Sequence, residues 1–312
     1  MKSLREVFGE TLIELARTND NLLVLDGDLA TSTRADLFDD AMPARFLQMG
    51  IAEQSMVGTA AGLATLGFVP WLSSFAVFFT HRALDAVRVS VAQSHANVKL
   101  GAAYSGLLTG FTGKTHQDVQ DLAIMRAMPD MIVLAPADPT ECRAMMHWAT
   151  DYVGPVYLRL ARDPESDIFD DSYRFVPGAT YLLRVGRDVL IVSTGTQTVR
   201  CLEAARLLGT EGISAGVLHV PSIKPVDTAS LVDAAEPVPL VATVEEHTIH
   251  GGLGDLVSEA TSESMLRHIA RIGIQDCWGE SAANDLLLDK HGLAPSRVAE
   301  RVLSQIRKEA LL

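Results

Sequence analysis

The sequence predicts an α/β fold with two domains, each built on a mainly parallel sheet. Continuous apolar runs of strand length alternate with segments whose apolar residues have helical spacing. The chain has 312 residues, a length that suits about two domains. One segment rich in Asp, Pro and Gly, 163–187, interrupts the alternation. We therefore expect domains at 1–165 and 188–312, joined by a linker at 166–187.

The first domain begins with an amphipathic helix. Ser3 and Glu6 have the spacing of a capping box, and apolar residues follow at helical intervals, which predicts a helix over 3–17. The remaining elements predicted in this domain are, in order, a strand within NLLVLDGDLATS, a helix at 51–66, a strand at 68–72, a helix at 80–94, strands at 98–104 and 131–135, a helix at 139–150 and a strand at 156–160.

The alternation resumes after the linker. Four further apolar runs are strand candidates, and helical segments fill the gaps between them and the C-terminus: DVLIVSTG, ISAGVLHV, PLVATVEEH and HIARIGIQD. They predict a second, smaller α/β domain.

Composition argues against several functional classes. The net charge of -13, without any Lys/Arg-rich run, opposes binding to nucleic acid or to an anionic membrane. The N-terminal segment has charges among its apolar residues, and no later run approaches ~18 apolar residues, so a cytoplasmic protein is expected. Cys142, Cys201 and Cys277 are far apart and are interpreted as reduced packing residues.

Two glycine-rich segments suggest nucleotide binding but have the wrong spacing. A phosphate-binding P-loop ending at Gly113 in SGLLTGFTGKTHQD requires glycine where the chain has Leu108. In HGGLGD, at 250–255, the third glycine of a dinucleotide fingerprint would fall at Val257. Close packing of a helix against a strand is the preferred interpretation of the second segment.

Polar residues cluster on the loops that follow the predicted strands. These loops gather at one edge of a parallel sheet, so the segments 28–32, 50–53, 73–81 and 104–116 are candidates for a shared site. Glu53 falls in the first turn of a helix that is otherwise made of small and apolar residues. From this segment alone, it is either a dipole-favoured acid at a helix start or a desolvated, functional carboxylate.

Five segments, taken in order, resemble the transketolase family and cover nearly the whole chain. They are LDGDLATST, GIAEQSM, SSFAVFFTHRALDAVR, GKTHQD and YLRLARD. The resemblance implies an α/β fold in which a parallel-sheet, thiamine diphosphate pyrimidine-binding domain is followed by a smaller α/β transketolase C-terminal domain.

The resemblance also assigns cofactor-binding residues. Glu53 would hydrogen-bond to the pyrimidine ring nitrogen of thiamine diphosphate and so promote deprotonation of the thiazolium carbon. Phe75 and Phe78 would pack on the pyrimidine ring, His81 stands where the family often has Tyr, and Asp28 belongs to the same cofactor side.

Substrate-side residues follow from the same resemblance. His116 matches a catalytic histidine that faces the sugar and can donate a hydrogen bond or move a proton. Arg5, Ser32 and Arg162 match positions that bind the phosphate of a sugar, a task for which arginine is well suited.

Two substrate-side positions depart from the family pattern. Thr112 stands where the family usually has an Asp that contacts the donor's hydroxyl, and Tyr104 stands where it often has a His. The resemblance therefore does not carry over a stereochemical preference for the donor.

The motif that holds the diphosphate is missing. The family uses Gly-Asp-Gly followed about 25 to 30 residues later by Asn, whose oxygens bind a hard cation such as Mg²⁺ or Ca²⁺. The LDGD segment has no second glycine, and no Asn occurs between Asn21 and Asn97. We expect no metal ligands in this chain, and an N-terminal transketolase subunit that supplies the diphosphate and metal site in an α2β2 assembly.

The resulting hypothesis is a subunit of a split transketolase, active only with its partner, that transfers a two-carbon ketol unit from a ketose phosphate to an aldose phosphate. One alternative is the beta subunit of a 2-oxo acid dehydrogenase decarboxylase component, because the pair Glu53-Gln54 resembles its Glu-Gln pair. The other is a non-catalytic subunit that retains the fold.

Overall fold

The computed structural model describes residues 2–164, 166–262, 264 and 268–309. The boundary predicted at residue 165 and the last three residues of the second domain lie outside this part of the chain. Up to the end of the predicted first domain, the helices and strands are α1 (Leu4–Ala16), β1 (Leu22–Asp26), α2 (Ala30–Thr33), α3 (Asp36–Ala41), β2 (Phe46–Gln48), α4 (Glu53–Thr65), β3 (Val69–Phe75), α5 (Leu84–Ala86), β4 (Lys99–Ala103), α6 (Asp121–Arg126), β5 (Ile132–Leu134), α7 (Pro139–Asp151) and β6 (Val156–Leu160).

The rest of the chain continues the alternation of strands and helices. Its elements are β7 (Tyr181–Arg184), β8 (Val189–Ser193), α8 (Gln197–Thr210), β9 (Ala215–His219), β10 (Ser222–Lys224), α9 (Thr228–Ala235), β11 (Leu240–Thr248), α10 (Leu253–Ser262), β12 (Ile269–Ile274), α11 (Asn284–His291) and α12 (Pro295–Glu309). No described helix is both long enough and apolar enough to cross a bilayer.

Two sheets organise the molecule. The first has seven strands in the order β10-β5-β6-β4-β3-β1-β2, and the second has five in the order β12-β11-β8-β9-β7. Neighbouring strands are parallel except at two edges, where β10 is antiparallel to β5 and β7 is antiparallel to β9. The predicted α/β fold with parallel sheets is confirmed.

The two antiparallel edge strands do not follow the predicted domain and linker bounds. Strand β7 lies within the predicted linker, 166–187, yet it pairs in the second sheet. Strand β10 lies in the segment 188–312 but joins the first sheet. Both strands are short, three or four residues, and such short edge elements carry too weak a periodic signal to be read from sequence.

The sequence signals for the N-terminal helix are accurate, whereas those after β3 do not predict the kind of helix that forms there. The Ser3 backbone N–H donates to Glu6 Oε2 at 2.8 Å, and the Glu6 N–H donates to Ser3 Oγ at 3.4 Å, which confirms the capping box. The helix predicted at 80–94 falls on a helical segment that is not one regular α-helix. Two π-helical turns, Phe78–Arg82 and Val87–Ala92, flank the short helix α5, and widened turns of this kind do not follow 3.6-residue periodicity.

The loop at 105–120 packs between the two domains. Leu107, Leu108 and Val119 of this loop are buried in the same apolar cluster as the strands of the second sheet. Gly106 and Gly110 have φ of +78° and +61°, and a Cβ at these positions would lie 2.3 Å from Glu246 Oε1 and 2.8 Å from Asn284 Oδ1, respectively. The glycines therefore permit close packing and left-handed backbone.

The second glycine-rich segment also serves packing. A Cβ on Gly252 would lie 2.1 Å from Glu245 Oε2. The Glu245 carboxylate accepts the N–H groups of Leu253 at 2.7 Å and Gly254 at 2.8 Å, at the start of α10. A protein carboxylate thus fills the place that a dinucleotide phosphate would need, and the interpretation of close helix-strand packing is confirmed.

The cysteines differ in their surroundings. Cys142 and Cys201 are buried and free, as expected of packing residues. Cys277 is exposed, so the packing interpretation is wrong for this residue. It follows the last residues of β12, where the chain leaves the second sheet and returns over the first domain.

Candidate active site

Three aromatic rings form a continuous stack at the carboxyl ends of β3 and β4. Phe75 is the last residue of β3 and is in register with Ala103, the residue that precedes Tyr104. The rings of Phe75 and Tyr104 stack with centroids 4.1 Å apart, and the rings of Phe75 and Phe78 stack at 5.8 Å. Neighbouring parallel strands therefore build one ring array from distant segments.

Arginine side chains surround Tyr104 at one end of this array. Arg5 Nη1 donates to the Ser32 carbonyl at 2.8 Å and to the Tyr104 hydroxyl at 3.2 Å. The Cζ atoms of Arg5 and Arg162 lie 5.7 Å and 5.4 Å from the centre of the Tyr104 ring. Within the described part of the chain, the buried Nε atoms of both arginines lack a hydrogen-bond partner, and such donors suit an anion.

Tyr104 itself has an uncommon backbone conformation. Its φ is +54°, in the left-handed region that bulky residues seldom adopt. Stacking on Phe75 and the hydrogen bond from Arg5 hold the side chain in place. Strained residues of this kind concentrate at functional sites.

A buried ion pair lies at the other end of the array. Glu53 begins α4 and is 1% exposed. Arg82 Nη1 donates to both of its carboxylate oxygens, at 2.8 Å and 2.7 Å, and the Arg82 Cζ lies 4.1 Å from the centre of the Phe78 ring. This carboxylate is therefore both buried in the first turn of a helix and specifically paired with Arg82.

His116 joins the array from the loop at 105–120. Its ring stands edge-on to Phe75 at 5.9 Å and to Phe78 at 5.6 Å, and its Nδ1 lies 2.9 Å from Thr115 Oγ1. Thr112, on the same loop, donates to the Thr109 hydroxyl at 2.6 Å and is exposed. The loop thus places His116 against the aromatic rings. The Thr112 hydroxyl, by contrast, is hydrogen-bonded within the loop itself.

His81 lines the same cavity as Phe78, whereas Asp28 lies after β1 and is not among the described residues that line this cavity. His81 Nδ1 is 2.8 Å from Thr80 Oγ1, and its Nε2 is 3.4 Å from Gln120 Oε1. Asp28 is exposed, with φ of +66°, and its backbone N–H donates to Gln48 Oε1 at 3.0 Å.

The C-terminal domain contributes a wall that sequence reasoning missed. A cavity of about 340 Å³ lies beside Phe78 and Arg82, and Trp278, from the segment after β12, lines it. Gln117 Nε2 donates to the Glu280 carbonyl at 2.9 Å, which fixes this segment against the loop. The available sequence signal is a tryptophan within the largely polar segment DCWGES, and the structure leaves it exposed.

Buried charges hold the loop from behind. The Glu246 carboxylate accepts the N–H groups of Leu107 at 2.7 Å and Leu108 at 3.1 Å. Arg159 donates to Asp121 at 2.8 Å and to the Glu246 carbonyl at 2.9 Å. These residues, also missed by sequence reasoning, connect the loop to both sheets, and buried networks of this kind are costly to disrupt.

Asp118 extends this network towards the site. Burial raises the pKa of its carboxyl group above the ordinary value of 3.8, and the nearby charge of Asp121 raises it further. The Thr80 hydroxyl, which also contacts His81, donates to Asp118 and acts in the opposite direction. No group of three or more His, Cys, Asp or Glu side chains that could hold a metal ion occurs among the described residues.

Comparison with protein-family models identifies both halves of the chain. The model described as "Transketolase, pyrimidine binding domain" matches residues 1–164, and the one described as "Transketolase, C-terminal domain" matches residues 178–298. The chain belongs to the transketolase family.

Relatives of this transketolase chain match it over almost its whole length. It is 39% identical over 311 residues to a putative transketolase C-terminal section from Methanocaldococcus jannaschii, covering 99% of this chain and 98% of that protein. It is 36% identical over 295 residues to a 6-deoxy-6-sulfo-D-fructose transketolase subunit from a Clostridium species, covering 95% and 92%. A solved structure described as "Split gene transketolase, inactive beta4 tetramer" superposes with a TM-score of 0.91 at 41% identity, covering 98% and 99%.

Transketolases depend on thiamine diphosphate, and the site has features that fit its pyrimidine ring. Such a ring needs a hydrogen-bonding carboxylate at its edge and an aromatic face to stack on. A flat group with N–H donors, the Arg82 guanidinium, already lies between the Glu53 carboxylate and the face of Phe78. The space between these two residues therefore suits a planar, hydrogen-bonding group.

Proposed function

We propose that this chain is the C-terminal subunit of a split transketolase. It acts in the transfer of a two-carbon ketol unit from a ketose phosphate to an aldose phosphate. The observation that carries the proposal is the ring array, which has the buried Glu53 at one end and Arg5 with Arg162 at the other. A cofactor ring at the first end and an anionic sugar tail at the second would place the carbons between them near His116.

The arginine end supports a substrate with a terminal anion. The Nε donors of Arg5 and Arg162, which have no hydrogen-bond partner among the described residues, would gain charge-assisted hydrogen bonds from a phosphate, with Tyr104 and Ser32 completing the surroundings. A simple 2-oxo acid has no such second anion, since its carboxylate lies at the reacting carbon. This difference favours a sugar phosphate over the substrates of a 2-oxo acid dehydrogenase component.

Glu53 and His116 have separate tasks in this proposal. When bound, thiamine diphosphate supplies the electron sink for the carbon–carbon bond that is broken. Glu53, buried at the start of α4, holds a proton at the pyrimidine ring nitrogen, while Phe75 and Phe78 orient the ring. His116, edge-on to both rings, donates a hydrogen bond to the sugar oxygen where charge develops.

His81, Asp28 and Thr112 have supporting tasks. His81, adjoining the cavity beside Phe78, and Asp28, after β1, border the cofactor ring. Thr112, whose hydroxyl is hydrogen-bonded to Thr109 on the same loop as His116, bears on which donor sugar is accepted.

The diphosphate and a Mg²⁺ or Ca²⁺ ion are proposed to lie on an N-terminal partner subunit, within an α2β2 assembly. The missing Gly-Asp-Gly motif supports this, as do the names of relatives that describe a C-terminal section, a subunit and a split gene. The C-terminal domain then supports the loop at 105–120 through the Glu246 carboxylate and the Glu280 carbonyl.

Reconstitution tests the proposal. The chain is expressed with and without a candidate N-terminal subunit, and ketol transfer from xylulose 5-phosphate is measured with thiamine diphosphate and Mg²⁺. We expect transfer only when both subunits are present. Activity of this chain alone would contradict the split site, turnover of 2-oxo acids with a lipoyl acceptor would support the decarboxylase alternative, and a complex that binds no cofactor would support the non-catalytic one.

A further inference from the structure

Arg82 makes two contacts that together resemble those of a bound heterocycle. Its guanidinium is planar, and Nη1 donates to both oxygens of Glu53, at 2.8 Å and 2.7 Å. The face of the same group lies over the Phe78 ring, with Cζ 4.1 Å from the ring centre. Edge-on hydrogen bonding to a carboxylate combined with stacking on an aromatic face is also what a nitrogen heterocycle would need here.

The two contacts come from the widened turn after β3. Phe78 and Arg82 begin and end a π-helical turn, in which the Ala83 N–H donates to the Phe78 carbonyl at 2.9 Å. This turn places the Arg82 guanidinium over the Phe78 ring while it also reaches Glu53. The Arg82 side chain is nevertheless 42% exposed, whereas that of Glu53 is fully buried.

Unequal exposure determines which partner can move. A buried carboxylate without a partner is strongly unfavourable, so Glu53 needs a donor at all times. Arg82 has access to solvent and also lines the cavity of about 340 Å³ beside Phe78. Its guanidinium can therefore leave Glu53 at little cost once another donor replaces it.

We propose that Arg82 is an internal substitute for the pyrimidine ring of thiamine diphosphate. It keeps Glu53 paired in the cofactor-free protein and is displaced when the ring binds. This inference rests on the proposed function. It makes Arg82 a competitor of the cofactor. The apparent affinity of the protein for thiamine diphosphate is then the intrinsic affinity multiplied by the fraction of molecules in which the Glu53–Arg82 ion pair is open.

Cofactor binding to the reconstituted complex is the first test. Arg82→Met keeps an unbranched side chain and removes the guanidinium. If the ion pair is closed in ~90% of molecules, the dissociation constant for thiamine diphosphate, measured by titration calorimetry, falls ~10-fold in this variant. Arg88→Met is the matched control, because Arg88 lies on the next turn, is exposed and pairs only with Asp85 among the described residues.

The free chain provides the second test, independent of the cofactor. Arg82→Met should lower the thermal unfolding midpoint, because it leaves a buried charge unpaired. The same change made in a Glu53→Gln background should lower it much less, since no charge then needs a partner. If Arg82→Met fails to fold, Arg82→Lys is measured in its place, because lysine keeps the positive charge but lacks the planar guanidinium.

The outcomes separate this inference from the proposed function. Unchanged or weaker cofactor binding by Arg82→Met, in a complex whose wild-type form binds, overturns the competitor role alone. A complex in which no variant binds thiamine diphosphate overturns both proposals. Additive effects of Arg82→Met and Glu53→Gln on the midpoint would show that the ion pair does not hold Glu53.

Discussion

Tyr104 stacks on Phe75 with a centroid separation of 4.1 Å and accepts a hydrogen bond from Arg5 at 3.2 Å. These two contacts join the arginine end of the site to the rings that end near Glu53. His116 stands edge-on to the same Phe75 ring, so the proposed anion site and His116 are joined through one aromatic side chain.

Removing one arginine should weaken binding of a phosphorylated donor. Arg162→Gln removes a charge-assisted donor, so we expect a KM for the ketose phosphate that is ~10-fold to 100-fold higher. The KM for an unphosphorylated ketose, measured in the same complex, should barely change. Arg143→Gln is the control, because Arg143 lies on the surface at α7. Equal losses for both donors would contradict phosphate binding by Arg162.

Glu53→Gln should slow turnover with little effect on folding. The amide keeps the size of the carboxylate but cannot hold the same proton, so kcat should fall by ~10²-fold or more. Gln54→Ala is the control, since the adjacent Gln54 is exposed. A kcat within a few-fold of the wild-type value would show that Glu53 does not take part in proton transfer.

Gly106→Ala should destabilise the chain and loosen the loop that carries His116. At φ of +78°, the added methyl group would lie 2.3 Å from Glu246 Oε1, so we expect the free energy of unfolding to fall by ~2 kcal/mol or more. Gly58→Ala has open space around its Cβ within a helix and should stabilise by ~0.5–1 kcal/mol. Chemical denaturation of the two variants provides the comparison, and similar values for both would refute the packing role of Gly106.

Asp118 should make stability depend on pH. Its pKa in the folded chain is raised by burial, so the folded state binds a proton more strongly than the unfolded state does. The resulting stabilisation is complete below the ordinary value of 3.8 and is lost as the pH rises through the raised pKa. The free energy of unfolding of Asp118→Asn, relative to wild type, should therefore increase from pH 4 towards neutral pH.

Denaturation at several pH values checks this prediction. Asp233→Asn provides a matched change at an aspartate outside the network, on α9. A difference between Asp118→Asn and wild type that stays constant with pH would show that Asp118 does not titrate in this range.

Sequence reasoning located most of the residues that the fold brings together at the site. Glu53, Phe75, Phe78, Tyr104 and His116 lie at or after the carboxyl ends of strands, and these ends meet at one edge of a parallel sheet whatever the details of packing. It did not find Arg82 or Trp278. Arg82 depends on a widened turn and Trp278 on how the second domain lies over the first, and neither leaves a periodic signal.

The sequence by itself determined the alternation of strands and helices, the family and the loops that carry the site, because these depend on local apolar periodicity and on short motifs. The tertiary structure decided that Glu53 pairs with Arg82, that Glu246 holds the loop at 105–120 and that β10 joins the first sheet. The Glu246 contact joins residues more than 130 positions apart in sequence. Contacts at such separations form only when the two sheets have packed together, so burial and charge pairing across that interface, rather than local pattern, select them.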